Sequence, residues 1–141
     1  MPRPQLNLRA LLKPVAAPDL KDIGRLTTDL DSESFSAREK ATKELQKLGD
    51  LVLPALKKLL ANPPSLEVKL RVQLLLDNIA LAATSPDRMR PVRAIEALEN
   101  MGTREALELL RDLARGAPGA RITREAAASL ERFAKKRAIG N

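Results

Sequence analysis

The chain has 141 residues, a net charge of +7 and neither Cys nor His, and this composition excludes several classes of function. The missing side chains exclude thiolate and imidazole metal ligands, cysteine nucleophiles and histidine general bases. Leu, Ala, Glu, Lys and Arg dominate, whereas the aromatic residues are limited to two Phe. Such a composition favours helices over strands. We therefore expect an all-α protein without catalytic, cofactor-binding or metal-binding residues.

Residues 1–18 are predicted to form a proline-rich arm or linker. Four prolines in this stretch oppose a continuous helix. Arg9 and Lys13 interrupt its apolar positions, so neither a signal peptide nor a membrane span is expected. The folded domain is predicted to cover residues 19–141, in a cytoplasmic protein.

Capping residues and glycine stops predict about seven helices. They span residues 19–30, 36–48, 51–61, 65–81, 87–101, 103–114 and 123–136. The predicted N-caps are Asp19, Ser65, Asp87, Thr103 and Thr123, together with a Ser-x-x-Glu capping box at Ser36 and Glu39. Gly49 and Gly102 are the predicted left-handed stops. Helix 65–81 is apolar in nearly every direction, which predicts burial on several sides.

The helices repeat as a triplet, and this duplication is the strongest pattern in the sequence. The stripe Ala37, Ala41, Leu45 and Leu48 recurs 53 residues later as Arg90, Ala94, Leu98 and Met101. In the third helices, Val68, Val72, Leu76 and Ile79 recur 54 residues later as Ile122, Ala126, Leu130 and Phe133. Two three-helix repeats, at about 35–81 and 87–136, with helix 19–30 as a cap, predict a short right-handed α-solenoid.

Several segments resemble HEAT-type repeat helices. They are Ala37-Arg38-Glu39-Lys40-Ala41, Leu48-Gly49 and Pro54-Ala55-Leu56. With Arg93-Ala94-Ile95-Glu96-Ala97-Leu98-Glu99 and Gly116-Ala117-Pro118-Gly119-Ala120-Arg121, the chain is similar over about residues 19–136 to a helical domain at the C-terminus of bacterial WD-repeat β-propeller proteins. The resemblance implies a HEAT-like fold and a protein-binding role, with no catalytic residues. This chain departs from that family in lacking a propeller.

Basic side chains are the candidate partner-binding residues. They are Lys57, Lys58, Arg88, Arg90, Arg104, Arg111, Arg115, Arg132, Lys135, Lys136 and Arg137. Residues 87–137 hold twelve basic and eight acidic side chains, an excess that attracts acidic partners. Two alternatives reduce this signal. The last basic group along the chain also suits the dipole at a helix C-terminus; it comprises Arg124, Arg132, Lys135, Lys136 and Arg137. In addition, Arg111 is expected to pair with Glu108.

The sequence thus predicts a non-enzymatic protein–protein interaction or scaffolding module with a protein partner. Binding to the nucleic-acid backbone through the basic C-terminal half is the alternative, because phosphate contacts need only Lys and Arg. Base stacking is not expected, since both aromatic residues, Phe35 and Phe133, are predicted to face the core. The edges of a solenoid also permit self-association.

Overall fold

The computed structural model describes residues 12–140, which are helical and contain no strand. The helices in this range are α1 (Leu20–Asp29), α2 (Phe35–Leu48), α3 (Leu53–Ala61), α4 (Leu66–Ala82), α5 (Pro86–Met101), α6 (Arg104–Ala114) and α7 (Arg121–Ile139), with a 3-10 turn at Gly49–Val52. They form two compact units. The N-terminal unit is Pro18–Ser85. The C-terminal unit consists, within the described range, of residues 12–17 and 86–140. The all-α prediction is confirmed for this part of the chain.

Three of the predicted N-caps act as such. The side chains of Asp19, Ser65 and Thr103 each accept a hydrogen bond from a backbone N–H two or three residues further on, at 2.9, 3.1 and 3.1 Å. Gly49 and Gly102 have φ angles of 56° and 60°, in the region that a side chain disfavours. These two positions are 53 residues apart, and both have a positive φ.

Helices α2 and α5 begin before their predicted caps. Ser34, and not Ser36, has the extended backbone of an N-cap, and its hydroxyl accepts from the N–H of Ala37 at 3.3 Å. Ser36 therefore lies inside the first turn of α2. Asp87 lies in the first turn of α5, which begins at Pro86, where a fixed φ suits a helix start.

The Thr123 cap prediction is also wrong. Helix α7 begins at Arg121 after Ala120, whose backbone is extended and which makes no side-chain capping bond. Thr123 is therefore helical and 5% exposed, and its hydroxyl has no hydrogen-bond partner among the described residues. The Thr123 side chain is thus buried within the C-terminal unit and packs there without capping a helix.

The core of the N-terminal unit draws on all four of its helices. Its buried members are Ile23, Leu26, Leu30, Ala41, Leu45, Val52, Leu56, Val68, Val72, Leu75 and Ile79. On α4 the buried stripe includes Leu75, which is 1% exposed, whereas the predicted Leu76 is only partly buried. The stripe Val68, Val72, Leu75 and Ile79 follows the spacing of one helical face.

The core of the C-terminal unit combines α5, α6 and α7 with one residue from the start of the chain. Its members are Leu12, Ile95, Leu98, Ala106, Leu107, Leu109, Leu110, Leu113 and Ala126. Phe133 is partly buried against this core, in keeping with its predicted direction. Helix α6 contributes most of these residues, since its apolar positions share one face.

The non-helical residues 12–17, here called the strap, pack against the C-terminal unit. Leu12 is 2% exposed. The N–H of Ala117 donates to the carbonyl oxygen of Val15 at 2.8 Å. A Cβ on Gly116 would lie 2.9 Å from the nitrogen of Val15, so the close approach requires glycine. This packing was not predicted from the sequence. The prolines indicate only that the segment is not helical, and a non-helical segment can still bury a leucine. Residues 1–11 of the predicted arm lie outside the described residues, and the domain boundary at residue 19 stays a prediction.

Candidate interaction surfaces

The basic candidate residues are all exposed, and they are divided between the two units. Lys57 and Lys58 lie on α3, Arg115 is the C-cap residue after α6, and the other eight lie on α5, α6 and α7. Residues 18–85 hold ten basic and ten acidic side chains, whereas residues 86–141 hold twelve and eight. The N-terminal unit is thus neutral, and the positive excess belongs to the rest of the chain.

Acidic neighbours reduce the charge of the basic stripe on α6. Arg104 and Arg111 lie at helical spacing on one face of this helix, and the C-cap residue Arg115 follows at the same spacing. Arg104 pairs with Glu108 at 3.4 Å, and Arg115 pairs with Asp112 at 3.8 Å. The predicted pair between Glu108 and Arg111 is not seen, because Glu108 pairs with Arg104 instead. The stripe offers a mixed surface, with less positive potential than its arginines alone suggest.

Arg132 holds α7 to α5. Its Nε donates to Glu99 at 2.9 Å, and one terminal nitrogen donates to the hydroxyl of Ser129 at 3.1 Å. The side chain of Glu99 is only 10% exposed, so this charge needs its partner. Arg132 therefore has a structural role, and the candidate residues that remain on α7 are Lys135, Lys136 and Arg137 in its last turns.

A row of leucines covers the solvent side of α4. Leu66, Leu70, Leu74 and Leu81 are 70%, 58%, 59% and 78% exposed. Their spacing places them on one side of the helix, opposite the buried stripe that begins at Val68. We call these four residues the outer leucine face. The prediction that α4 is buried on several sides is wrong: one apolar face packs in the core, and the other meets solvent.

The outer leucines of α4 do not recur in α7, the helix that aligns with it in sequence. At the 54-residue offset that relates α4 to α7, Leu70, Leu74 and Leu81 correspond to Arg124, Ala128 and Lys135. The buried positions Val72 and Ala126, by contrast, stay apolar in both helices. This comparison of the two third helices is the sequence signal that could have revealed the face.

A charged network joins α2 to α4 beside the outer leucine face. Arg38 lies 3.3 Å from Glu67, and Arg71 lies 3.3 Å from both Glu67 and Glu39. The guanidinium carbon of Arg38 is 5.8 Å from the ring centre of Phe35. Phe35 is 65% exposed, so the prediction that it faces the core is wrong. It begins α2 on the solvent side, where the Arg38 cation covers part of its ring.

Ionisable side chains form no recognisable reaction centre in the described residues. No group of three or more acidic side chains is placed to hold a metal ion within residues 12–140. An open depression beside the strap is lined by Leu12, Lys13, Pro14, Leu109, Asp112 and Arg115. Its one carboxylate, Asp112, is paired with Arg115. No helix among the described residues has the length and apolarity needed to cross a bilayer.

Residues 91–116 match the family model described as PBS lyase HEAT-like repeat. They cover most of α5 and all of α6. No curated protein and no solved structure matched the chain. The resemblance to the helical domain of WD-repeat proteins has no support from these comparisons. The finding is that a helix pair of the C-terminal unit is similar to a HEAT-like repeat.

Proposed function

We propose that this chain is a non-enzymatic protein-interaction module that binds its partner through the outer leucine face. The observation that carries the proposal is the exposure of four leucines on one side of α4. A contiguous exposed apolar patch on a globular protein is typical of an interaction site. HEAT-like repeats, which one helix pair here resembles, commonly serve as interaction or scaffold modules.

The energetics favour covering this face. Fully burying a leucine side chain is worth roughly 1.5–3 kcal/mol, so covering four that are more than half exposed makes a large favourable contribution. Neighbouring charges limit which surfaces fit. Glu67 and Lys69 are exposed beside the leucines, and a partner must meet these charges with complementary groups. An amphipathic helix satisfies both requirements, since its apolar stripe is bordered by polar residues.

The finer fold proposal is that the two helix triplets stack as a right-handed α-solenoid. The equivalent left-handed glycines, Gly49 and Gly102, support the duplication that this arrangement needs. We also propose a cytoplasmic protein whose folded domain begins at residue 19, and we retain a WD-repeat protein domain as the relative suggested by the sequence. Small-angle scattering that fits only a globular bundle of helices would contradict the solenoid.

Binding to the nucleic-acid backbone is the second candidate, and the charge distribution is the observation that favours it. The positive excess lies outside the neutral N-terminal unit. However, Arg104, Arg115 and Arg132 each pair with an acidic side chain. Phe35 is exposed but belongs to the neutral unit, away in sequence from the cationic end of α7. The surface charge therefore supports protein binding better than phosphate binding.

The experiment that tests the proposal is a comparison of bound proteins in an extract of the source cells. The double variant Leu70→Asp, Leu74→Asp removes the apolar character of the face, and Leu20→Asp is the matched control on another exposed leucine of the same unit, 81% exposed. We expect the double variant to lose the proteins that the wild-type chain retains, and the control to keep them. Equal retention by all three chains, with unchanged helicity, would contradict the proposal.

A further inference from the structure

One flank of the outer leucine face carries a charge pattern that is complementary to itself. Lys69, Gln73 and Asp77 are exposed and lie four residues apart on α4. This spacing aligns them in one row beside the first three leucines, and the row continues to Leu81. The row begins with a cation, has a neutral amide at its centre and ends with an anion. Within the described residues, neither Lys69 nor Asp77 forms an ion pair.

We propose that the outer leucine face forms a homodimer in which α4 of one copy packs antiparallel to α4 of a second copy, about a two-fold axis at Gln73. This inference rests on the proposed function, since it names the partner of the same face. The second copy meets the chemical requirement directly, because α4 is itself a helix with an exposed apolar stripe and a charged border.

The antiparallel direction follows from the charges. A two-fold axis perpendicular to the paired helices sets each flank against the same flank of the other copy. With the axis at Gln73, Lys69 of each copy lies level with Asp77 of the other, which gives two opposite-charge pairs. In a parallel arrangement this flank would instead meet the opposite flank of the other copy, so Lys69 and Asp77 would not meet. The two Lys69–Asp77 pairs therefore form only in the antiparallel orientation.

The leucines fit the same axis. From Leu66 to Leu81 the face is about 22 Å long, at about 1.5 Å of rise per residue. In the antiparallel pair, Leu66 of each copy lies one residue from the level of Leu81 of the other. Leu70 and Leu74 of both copies interleave around the centre. Each end of the face is thus covered by the opposite end of the second copy.

The size of the face predicts a weak dimer. A standard stable interface buries about 800 Å² on each partner, and a surface one helix wide falls short of this. We expect the dimer to have a dissociation constant of about 10–100 µM, which is weak for a specific protein–protein interface. Sedimentation equilibrium from about 5 µM to about 1 mM should show the mass rising from the 15.4 kDa of one chain towards twice that value.

A charge exchange tests the arrangement. Lys69→Asp places four carboxylates at the two pairs, and Asp77→Lys places four cations there, so each single variant should raise the dissociation constant at least tenfold. The double variant Lys69→Asp, Asp77→Lys restores both pairs and should return the constant to within about threefold of wild type. Lys43→Asp, the same charge change at an exposed position of α2, should leave it unchanged.

Single cysteines test the register, because the chain has no natural cysteine. Gln73→Cys places one thiol at the two-fold axis and should give a covalent dimer on mild oxidation. A mixture of Lys69→Cys and Asp77→Cys chains should give the mixed dimer in preference to either symmetric product. Predominant Lys69→Cys symmetric dimers would overturn the antiparallel arrangement.

A chain that stays at 15.4 kDa up to about 1 mM would overturn the homodimer, as would a double charge variant that fails to recover. These results leave the proposed function separately testable. If the wild-type chain is monomeric but still loses extract proteins on Leu70→Asp, Leu74→Asp substitution, the face binds a different protein and only the homodimer is excluded. If neither association depends on the face, both proposals fail.

Discussion

The sequences of helices α4 and α7 align at an offset of 54 residues, and the two helices differ on their outer sides. Their inner sides agree: Val72 and Ala126 are both fully buried. Outside, Leu70 and Leu74 of α4 correspond to Arg124 and Ala128 of α7. The inner side follows the demands of the fold, whereas the outer side is free to vary. The leucines of α4 therefore need an explanation outside the packing of their own unit.

The two units also differ in how additional chain covers them. The strap brings Leu12 into the core of the C-terminal unit, where it is 2% exposed. The outer leucine face of the N-terminal unit has no cover from any described residue. A repeat unit exposes apolar surface unless another element covers it. One unit thus obtains its cover from the same chain, whereas the apolar face of the other stays exposed to solvent.

The largest effect should come from the inner face of α4. Leu75→Ala removes a side chain that is 1% exposed and should lower the free energy of unfolding by about 2–5 kcal/mol. Leu74→Ala, one residue earlier and 59% exposed, should change it by less than about 0.5 kcal/mol. Urea unfolding followed by circular dichroism measures both. Equal losses would mean that the outer face packs within the chain.

Substitution of the buried leucine of the strap should lower the free energy of unfolding slightly less than Leu75→Ala does. Leu12→Ala removes a buried side chain and should cost about 2 kcal/mol, the lower end for such changes, because a short segment can detach before the unit unfolds. Lys13→Ala, at an exposed neighbouring position, is the control and should have little effect. If thermal melts of the two variants coincide, the strap does not stabilise the unit, and residues 12–17 behave as an arm outside the folded domain.

Alanine substitutions at two glycines should change stability in opposite directions. A Cβ at Gly116 would lie 2.8 Å from the Thr123 hydroxyl and 2.9 Å from the Val15 nitrogen, so Gly116→Ala should destabilise by about 1–3 kcal/mol. Gly24 lies inside α1, and a Cβ there would have no atom within 4 Å. Gly24→Ala should stabilise by about 0.5–1 kcal/mol, since alanine favours helix. Denaturant midpoints compare the two, and stabilisation by Gly116→Ala would show that the strap does not approach this closely.

The smallest effect should follow from the cationic end of α7. Replacing Lys135, Lys136 and Arg137 with Gln should change stability by less than about 0.5 kcal/mol. We also expect it to leave the weak affinity for duplex DNA at about 0.15 M salt nearly unchanged. If the trio binds phosphates, log affinity instead falls with log salt by about 0.9 per contact, and the substitution flattens that slope. A micromolar complex lost in the triple variant would favour the nucleic-acid function.

Local chemistry made much of the fold predictable. Asp19, Ser65 and Thr103 cap helices because their side chains satisfy nearby N–H groups, which depends on few distant atoms. Thr123 is a threonine like Thr103, but it lies inside α7, because that helix already begins after its N-cap residue Ala120. A choice between neighbouring starting points depends on packing, which a local motif does not encode.

The candidate site was predicted less well, because it depends on exposure. The basic residues were found from charge, but charge does not show that Arg132 is held by Glu99. The sequence showed that α4 has apolar residues on nearly every side. Periodicity, however, does not indicate which of these sides packs in the core and which is exposed to solvent. Phe35 shows the same limit, since an aromatic at the start of a helix can point either way.

The most direct test of the central claim is photo-crosslinking from two equivalent positions, Leu81 on α4 and Lys135 on α7. A photoreactive amino acid at each position, in otherwise identical chains, reports which outer side touches another protein in an extract of the source cells. We predict defined crosslinked species from position 81, including a second copy of the chain, and only background from position 135. Defined products from position 135 with none from position 81 would contradict the account.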